Sequence, residues 1–289
     1  IAYYMRDKTT NDDYYYLTLL AIAKELEMAT KDTCKAVKDR NIYEVTLLVG
    51  LPPAHNNLKK KFADYFKRGK VEDVTYNGQT YRILVGEIHV YAQGMAAAMT
   101  EFTEISQYED ALVIDLGGMT MDYIGIHNKN GMLAPDPHLI DSVENGLNTL
   151  YERIRKDCRS LDYEPTDRNI DTLLTADPST VELKNSGHGS QQITIHKGEN
   201  ERKIFAAEGV YEIIQKTAKD YITEILMIFL RKNIRLRQYY TIFEGGGGIL
   251  LHRFISENEL LGPHKVVTDL AANAKGYRLM YNISTKRKN

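Results

Sequence analysis

Short continuous apolar runs, which read as buried strands, alternate along the chain with longer runs spaced at the helical period. Residues 14–27 predict a helix with Leu17, Leu20, Ala21 and Lys24 on one stripe. Residues 45–49 are almost wholly apolar, the pattern of a strand in a sheet covered on both faces. Residues 56–67 predict a helix with Leu58, Phe62 and Phe66 at four-residue spacing. Val71–Tyr76 and residues 79–85 flank Asn77-Gly78, a strong hairpin signal. Further on, residues 143–158 predict a helix turning Leu147, Leu150, Tyr151 and Ile154 inward. Residues 206–232 predict a long one burying Val210, Ile213, Ile214, Thr217, Ala218, Tyr221, Ile225 and Phe229. Between them, residues 159–203 break into Pro165, Pro178, Gly187, His188, Gly189 and Gly198, which reads as a variable region without a long amphipathic run.

Composition narrows this picture modestly. The 289 residues suffice for two domains with proper cores. Thirty-seven Lys plus Arg against thirty-nine Asp plus Glu leave a net charge of −2, so no overall basic field draws the chain to nucleic acid or to a membrane surface. The lysines at 59, 60, 61 and 67 with Arg68 read as a solvated helix face, because Asp64 interrupts them. Cys34 and Cys158 have no Cys or His at metal spacing and read as reduced thiols; together with the missing signal-peptide pattern they point to the cytoplasm. His188 lacks a ligand partner and reads as a loop residue. No apolar run approaches the ~20 residues of a membrane helix. The twenty tyrosines read mainly as side chains half buried under helices.

Two glycine clusters carry the candidate chemistry. The first follows an apolar strand: Ala111-Leu112-Val113-Ile114-Asp115-Leu116-Gly117-Gly118-Met119-Thr120-Met121-Asp122. Gly117 and Gly118 lack Cβ, so the turn can take positive φ and bring amide groups close to an anion. Asp115, at the strand end, can face a hydrated Mg²⁺, while Thr120 and Asp122 add a hydroxyl and a second carboxylate on the same face. Taken alone, the segment equally fits an ordinary hairpin with a surface carboxylate. The second cluster follows the buried strand Tyr239-Tyr240-Thr241-Ile242-Phe243, with Glu244 and then Gly245-Gly246-Gly247-Gly248 before an apolar helix start at Ile249. Ordering four glycines is entropically costly, so a packed domain that keeps them needs bare backbone beside something flat or charged.

Together these segments resemble the actin-like ATPase superfamily, and within it the ParM-like bacterial plasmid-segregation actins. The resemblance extends to Val45-Thr46-Leu47-Leu48-Val49-Gly50-Leu51-Pro52, to Val90-Tyr91-Ala92-Gln93-Gly94, and to a C-terminal return helix at Thr268-Asp269-Leu270-Ala271-Ala272-Asn273-Ala274-Lys275-Gly276-Tyr277, in the family's order over nearly the whole chain. It implies an α/β, actin-like two-domain fold with the nucleotide in the interdomain cleft, domain I being residues 1–109 with 269–289 and domain II residues 110–268. It implies ATP or ADP with Mg²⁺, phosphates on Gly117 and Gly118, adenosine against Gly245, Gly246, Gly247 and Gly248, Lys216 near the ribose, Asp115 at the metal-bound water and Gln93 orienting the attacking water. It further implies an ATPase forming a head-to-tail filament of itself in the bacterial cytoplasm, coupled to plasmid DNA through an adaptor on a centromere-like site, with no direct nucleic acid or membrane contact.

Two departures qualify the resemblance. The family opens on a first phosphate hairpin, D-x-G-x-x, and no such hairpin stands upstream of Asp115, where the sequence begins Ile1-Ala2-Tyr3-Tyr4; the expectation is an N-terminally incomplete sequence. Gln93 stands where ParM relatives often carry Glu, as in eukaryotic actins, which keeps a water-orienting role and weakens general-base chemistry. The alternatives are a monomeric ATPase of the superfamily, such as a sugar kinase or a chaperone-type nucleotide-binding domain, and a non-catalytic scaffold. Retention of Asp115, Thr120, Asp122 and the glycines argues against the scaffold.

Overall fold

The computed structural model describes residues 9–29 and 41–286; Cys34 and the opening Ile1-Ala2-Tyr3-Tyr4 lie outside them. The chain forms two compact units, residues 1–100 with 273–289 and residues 101–272.

The first unit starts with helix α1, Asp13–Met28, followed by strand β1, Ile42–Leu51. A tight 3-10 turn over Pro53–Leu58 precedes helix α2, Lys59–Phe66, so the helix expected from residue 56 begins three residues later, once the backbone leaves the kink at His55. Strands β2, Val71–Tyr76, and β3, Gln79–Ala92, form the hairpin about Asn77-Gly78, both at positive φ (49° and 80°), as a two-residue primed turn requires. Helix α3, Met95–Thr100, follows. The sheet order is β1-β3-β2, with β1 parallel and β2 antiparallel to β3. The expectation that residues 45–49 are covered on both sides is corrected here. Thr46 is exposed, its neighbours are only half-buried, and β1 is an edge strand among the described residues.

A bulge explains the long run of β3. Val45 pairs with Val85 but Leu47 pairs with Ile88, so β3 carries one extra residue at Gly86-Glu87 and its side-chain parity flips. Tyr81, Ile83 and Val85 before the bulge and Ile88 and Val90 after it therefore meet one aromatic core, built with Tyr15, Leu19, Ala23, Phe62 and Phe66. The buried face of α1 is Tyr15, Leu19 and Ala23, not the expected stripe, for Leu17 and Leu20 are 41% and 42% exposed. Apolar residues surround most of α1, so periodicity does not single out a face; the phenyl rings of α2 do.

In the second unit, a short helix α4, Phe102–Ile105, leads to strands β4, Asp110–Leu116, β5, Met121–Lys129, and β6, Met132–Val143, and then helix α5, Leu147–Cys158. The region expected to be irregular instead contains helix α6, Asp167–Thr175, capped by the Thr166 hydroxyl on Asn169 N–H, and a three-stranded antiparallel sheet of β7, Val181–Gly187, β8, Ser190–Lys197, and β9, Asn200–Ala207. Its strands are short and their outer faces charged, which hides them from a search for long amphipathic runs. His188 sits at positive φ in the β7–β8 turn. Because β9 occupies residues up to Ala207, helix α7 begins at Val210, after the left-handed Gly209, and runs to Arg231. Strand β10, Tyr240–Glu244, helix α8, Gly245–Leu250, helix α9, His252–Ser256, and strand β11, His264–Val266, complete the unit. The main sheet runs β11-β10-β4-β5-β6, parallel from β11 to β4 and antiparallel beyond. One face packs Leu112, Ile114, Leu116, Met121 and Tyr123 against α5 and α7, where Tyr123 meets Phe229 edge-on at 5.0 Å. The other face buries Val113, Ile124, Ile126 and Ile242. The C-terminal helix α10, Ala272–Lys286, returns to the first unit.

Candidate functional site

The β4–β5 register sets Asp115 opposite Asp122, and the parallel register of β10 sets Glu244 beside Asp115. Three carboxylates therefore share one row and one face across three adjacent strands. Asp122 is 8% exposed; one of its oxygens accepts the Thr120 hydroxyl at 2.8 Å, and the other, Oδ1, is buried without a hydrogen-bond partner among the described residues. Burial, and then the neighbouring charge of Asp122, push the Asp115 carboxyl up to about 6. A pair so poorly compensated fits a divalent cation that brings its own water shell. No group of three or more His, Cys, Asp or Glu residues among the described ones forms a direct metal cage.

The turn between the strands has its carbonyls committed. Gly117, Gly118 and Met119 C=O accept from Leu147, Asn148 and Gly146 N–H at 3.0, 2.9 and 3.1 Å, and Gly117 N–H donates to Thr120 C=O at 2.9 Å. The first turn of α5 thus clamps the hairpin, and Gly146 permits it, since a Cβ there would lie 2.5 Å from Gly118 O. The amides of Gly118, Met119 and Thr120 make no hydrogen bond to the described residues. Three consecutive N–H groups in one turn are thus donors with no acceptor among the described residues. Neither Gly117 nor Gly118 has positive φ, contrary to expectation; at Gly117 a Cβ would crowd Thr120 O at 3.1 Å, a tight approach that favours glycine.

The second glycine cluster is helical rather than a loop: α8 starts at Gly245 itself. Gly245 has φ +80°, and its Cβ would fall 2.3 Å from Asp115 Oδ1; a Cβ on Gly247 would fall 2.6 Å from Leu116 Cβ. The charged neighbour inferred from the sequence is thus partly β4 of the chain itself. A Cβ on Gly248 would make ordinary contacts. Gly246 is exposed, a Cβ on it would have nothing within 4 Å, and it is the glycine left facing open space. Lys216 is exposed on α7 and makes no hydrogen bond or ion pair with either glycine turn among the described residues. Glu244 escaped the sequence reading, although it repeats the signal that marks Asp115: an apolar strand ending in a carboxylate before glycines.

Gln93 belongs to the first unit, at the end of β3. Its N–H donates to Leu51 O at 2.9 Å, its carbonyl accepts Met95 N–H at 2.7 Å, and Gly94 turns the chain at φ +71°.

No protein-family model and no curated protein matches the sequence. Solved structures do match. An archaeal actin homolog, Ta0583, is 20% identical and superposes with a TM-score of 0.62 over 91% of this chain and 74% of its own. The apo psk41 ParM protein is 14% identical, with a TM-score of 0.63 over 99% and 75%. A subunit of a 15-stranded ParM filament from Clostridium botulinum is 16% identical, with a TM-score of 0.61 over 96% and 76%. The chain therefore has an actin-like fold, of the type seen in ParM. Ta0583 has also been solved in complex with ADP. No helix among the described residues is long and apolar enough to cross a membrane.

Proposed function

We propose that this chain is a nucleotide-dependent, filament-forming actin-like protein that binds and hydrolyses ATP with Mg²⁺ and moves plasmid DNA through a DNA-binding adaptor. The observation that carries the reading is the row of unspent amides at Gly118, Met119 and Thr120 directly beside the desolvated Asp115–Asp122 pair. Amides for phosphate oxygens and carboxylates for a hydrated cation are what a magnesium nucleotide needs. Bound there, Mg²⁺ would neutralise phosphate charge. Asp115 would hold the cation through water, with the Thr120 hydroxyl fixing Asp122 beside it, and Gly117 would keep the turn tight. Adenosine rests against the Gly245–Gly248 end of α8, with Gly246 as its bare contact and Lys216 toward the ribose. The side-chain amide of Gln93 orients the attacking water, a positioning role that suits phosphoryl transfer.

Support for assembly comes from the fold's likeness to subunits solved in filaments, including the ParM filament above and Alp12. The adaptor and the plasmid rest on the resemblance of the motifs. The test is titration of the protein with ATP·Mg²⁺, followed by phosphate release and sedimentation of the same samples. Saturable binding, hydrolysis and ATP-dependent pelleting are expected. Binding and hydrolysis by a persistent monomer would move the assignment to the kinase or chaperone class, and failure to bind would refute the nucleotide site.

A further inference from the structure

Helix α10 reaches the Gln93 turn with two residues one helical turn apart. Asn273 Oδ1 accepts the Gly94 N–H at 3.1 Å, which fixes the left-handed residue directly after Gln93. Tyr277 lies against Gly50 of β1, which pairs with Tyr91 just before the turn. A Cβ on Gly50 would fall 1.8 Å from Tyr277 Oη and 3.0 Å from Gln93 Cγ, so the phenol and the stem of the glutamine flank the same bare backbone. The Tyr277 ring is held by stacking on Tyr91, two residues before Gln93, with centroids 5.7 Å apart and planes 10° from parallel. The register of α10 is fixed as well, because at Gly276 it crosses α3 so closely that a Cβ would lie 1.9 Å from Ala96 O.

We infer that Asn273 and Tyr277 are positioning residues for Gln93, setting the direction of its side-chain amide from α10; the inference rests on the water-orienting role proposed above. Every backbone polar group of Gln93 is already spent, on Leu51 and Met95. What remains to be fixed is the rotation of the turn, which Asn273 bonds, and the course of the side chain, whose Cγ lies beside the same Gly50 backbone as Tyr277 Oη. An orienting group must be held to within about 0.5 Å to be effective, and a misplacement of about 1 Å can cost on the order of 10²-fold in rate.

The experiment is a double-mutant cycle on ATP hydrolysis, with nucleotide affinity and thermal unfolding measured on each variant. Asn273→Ala and Tyr277→Leu should each lower kcat about 10-fold or more while changing nucleotide affinity less than about 2-fold. In a Gln93→Ala background neither should lower kcat further. Asn273→Asp, which keeps an acceptor for Gly94 N–H, should restore most of the rate lost in Asn273→Ala. Should a variant unfold, Tyr277→Phe, which removes only the hydroxyl against Gly50, is read in the same cycle. Unchanged kcat in the single variants, or full additivity with Gln93→Ala, overturns the inference and leaves the ATPase reading standing. A parent chain that binds ATP and never hydrolyses it overturns both.

Discussion

Gly245 and Asp115 are in contact through the absence of a side chain: a Cβ on the glycine would lie 2.3 Å from the carboxylate Oδ1. The two glycine motifs are therefore one packed body, with the start of α8 pressed against the end of β4, and their glycines are not equivalent. Gly245→Ala forces a side chain into positive φ, costing about 1 kcal/mol or more, and displaces Asp115 as well. Gly246→Ala meets nothing and gains about 0.5–1 kcal/mol of helix propensity. Chemical denaturation should show the first variant destabilised and the second stabilised. If adenosine rests on Gly246, the stabilised variant should bind ATP at least several-fold more weakly; undiminished affinity would place the base elsewhere.

Asp115→Asn replaces one of two adjacent carboxylates, of which Asp122 has an unpartnered buried oxygen, by a neutral isostere. Removing that repulsion should leave the nucleotide-free protein at least as stable as the parent at neutral pH. Phosphate release should be abolished if the carboxylate holds the cation as proposed, since the isosteric amide keeps the packing against Gly245 and loses only the charge. Near-parental hydrolysis would mean that the hairpin is not the phosphate site.

The parts of this molecule legible in the sequence are those whose signal is local. Asn77-Gly78 dictates its own hairpin, and the long stripe of α7 repeats often enough to fix both its existence and its buried face, where Ile214, Tyr221 and Phe229 lie as expected. The β7–β9 sheet is illegible because its alternation is carried by short strands with ion-paired outer faces, such as Lys184 with Glu182 and Lys203 with Glu201. At the candidate site the sequence brings Asp115, Asp122 and the glycines to notice but not the contacts that hold them. Positive φ is the obvious ground for Gly117 and Gly118, yet one is held by proximity to Thr120 O and the other by neither cause. The clamp of α5 on the turn depends on contacts between residues nearly thirty positions apart in sequence, which no local pattern carries.

Gln93→Ala should slow hydrolysis by roughly 10²-fold while leaving ATP affinity near the parent value, since an orienting amide contributes to the transition state and little to the ground state. If polymers form, they should persist correspondingly longer in the variant. Loss of ATP affinity would instead place Gln93 in the binding shell.

Burial, helped by the charge of Asp157, pushes the thiol of Cys158 up to about 11. In a Cys34→Ser chain, alkylation of Cys158 at pH 8 should therefore be slow in the folded protein and fast in denaturant. The folded state holds the thiol proton more tightly than the unfolded state, so this group's contribution to stability is complete below about pH 9 and is lost as pH rises toward 11. Urea midpoints across that window should fall less in Cys158→Ala than in its parent. Equal slopes would remove Cys158 as a source of alkaline sensitivity.

Assembly is the property furthest from any single residue, and charge makes its partner testable. A net charge of −2 gives the chain little attraction of its own to phosphate backbones. If DNA is reached only through an adaptor, naked DNA should leave both the extent and the rate of ATP-induced pelleting unchanged. Hydrolysis removes the γ-phosphate and with it any contact that group makes to the amides of Gly118, Met119 and Thr120, so polymer built on the ATP-bound form should weaken as ADP accumulates. A head-to-tail contact that does not close generates an open filament, so sedimentation should show a critical concentration rather than one discrete oligomer. Pelleting at near-physiological salt with ATP, ADP, and ATP plus a random duplex checks all three points. Tight, salt-sensitive binding to the duplex without an adaptor would overturn the partner assignment.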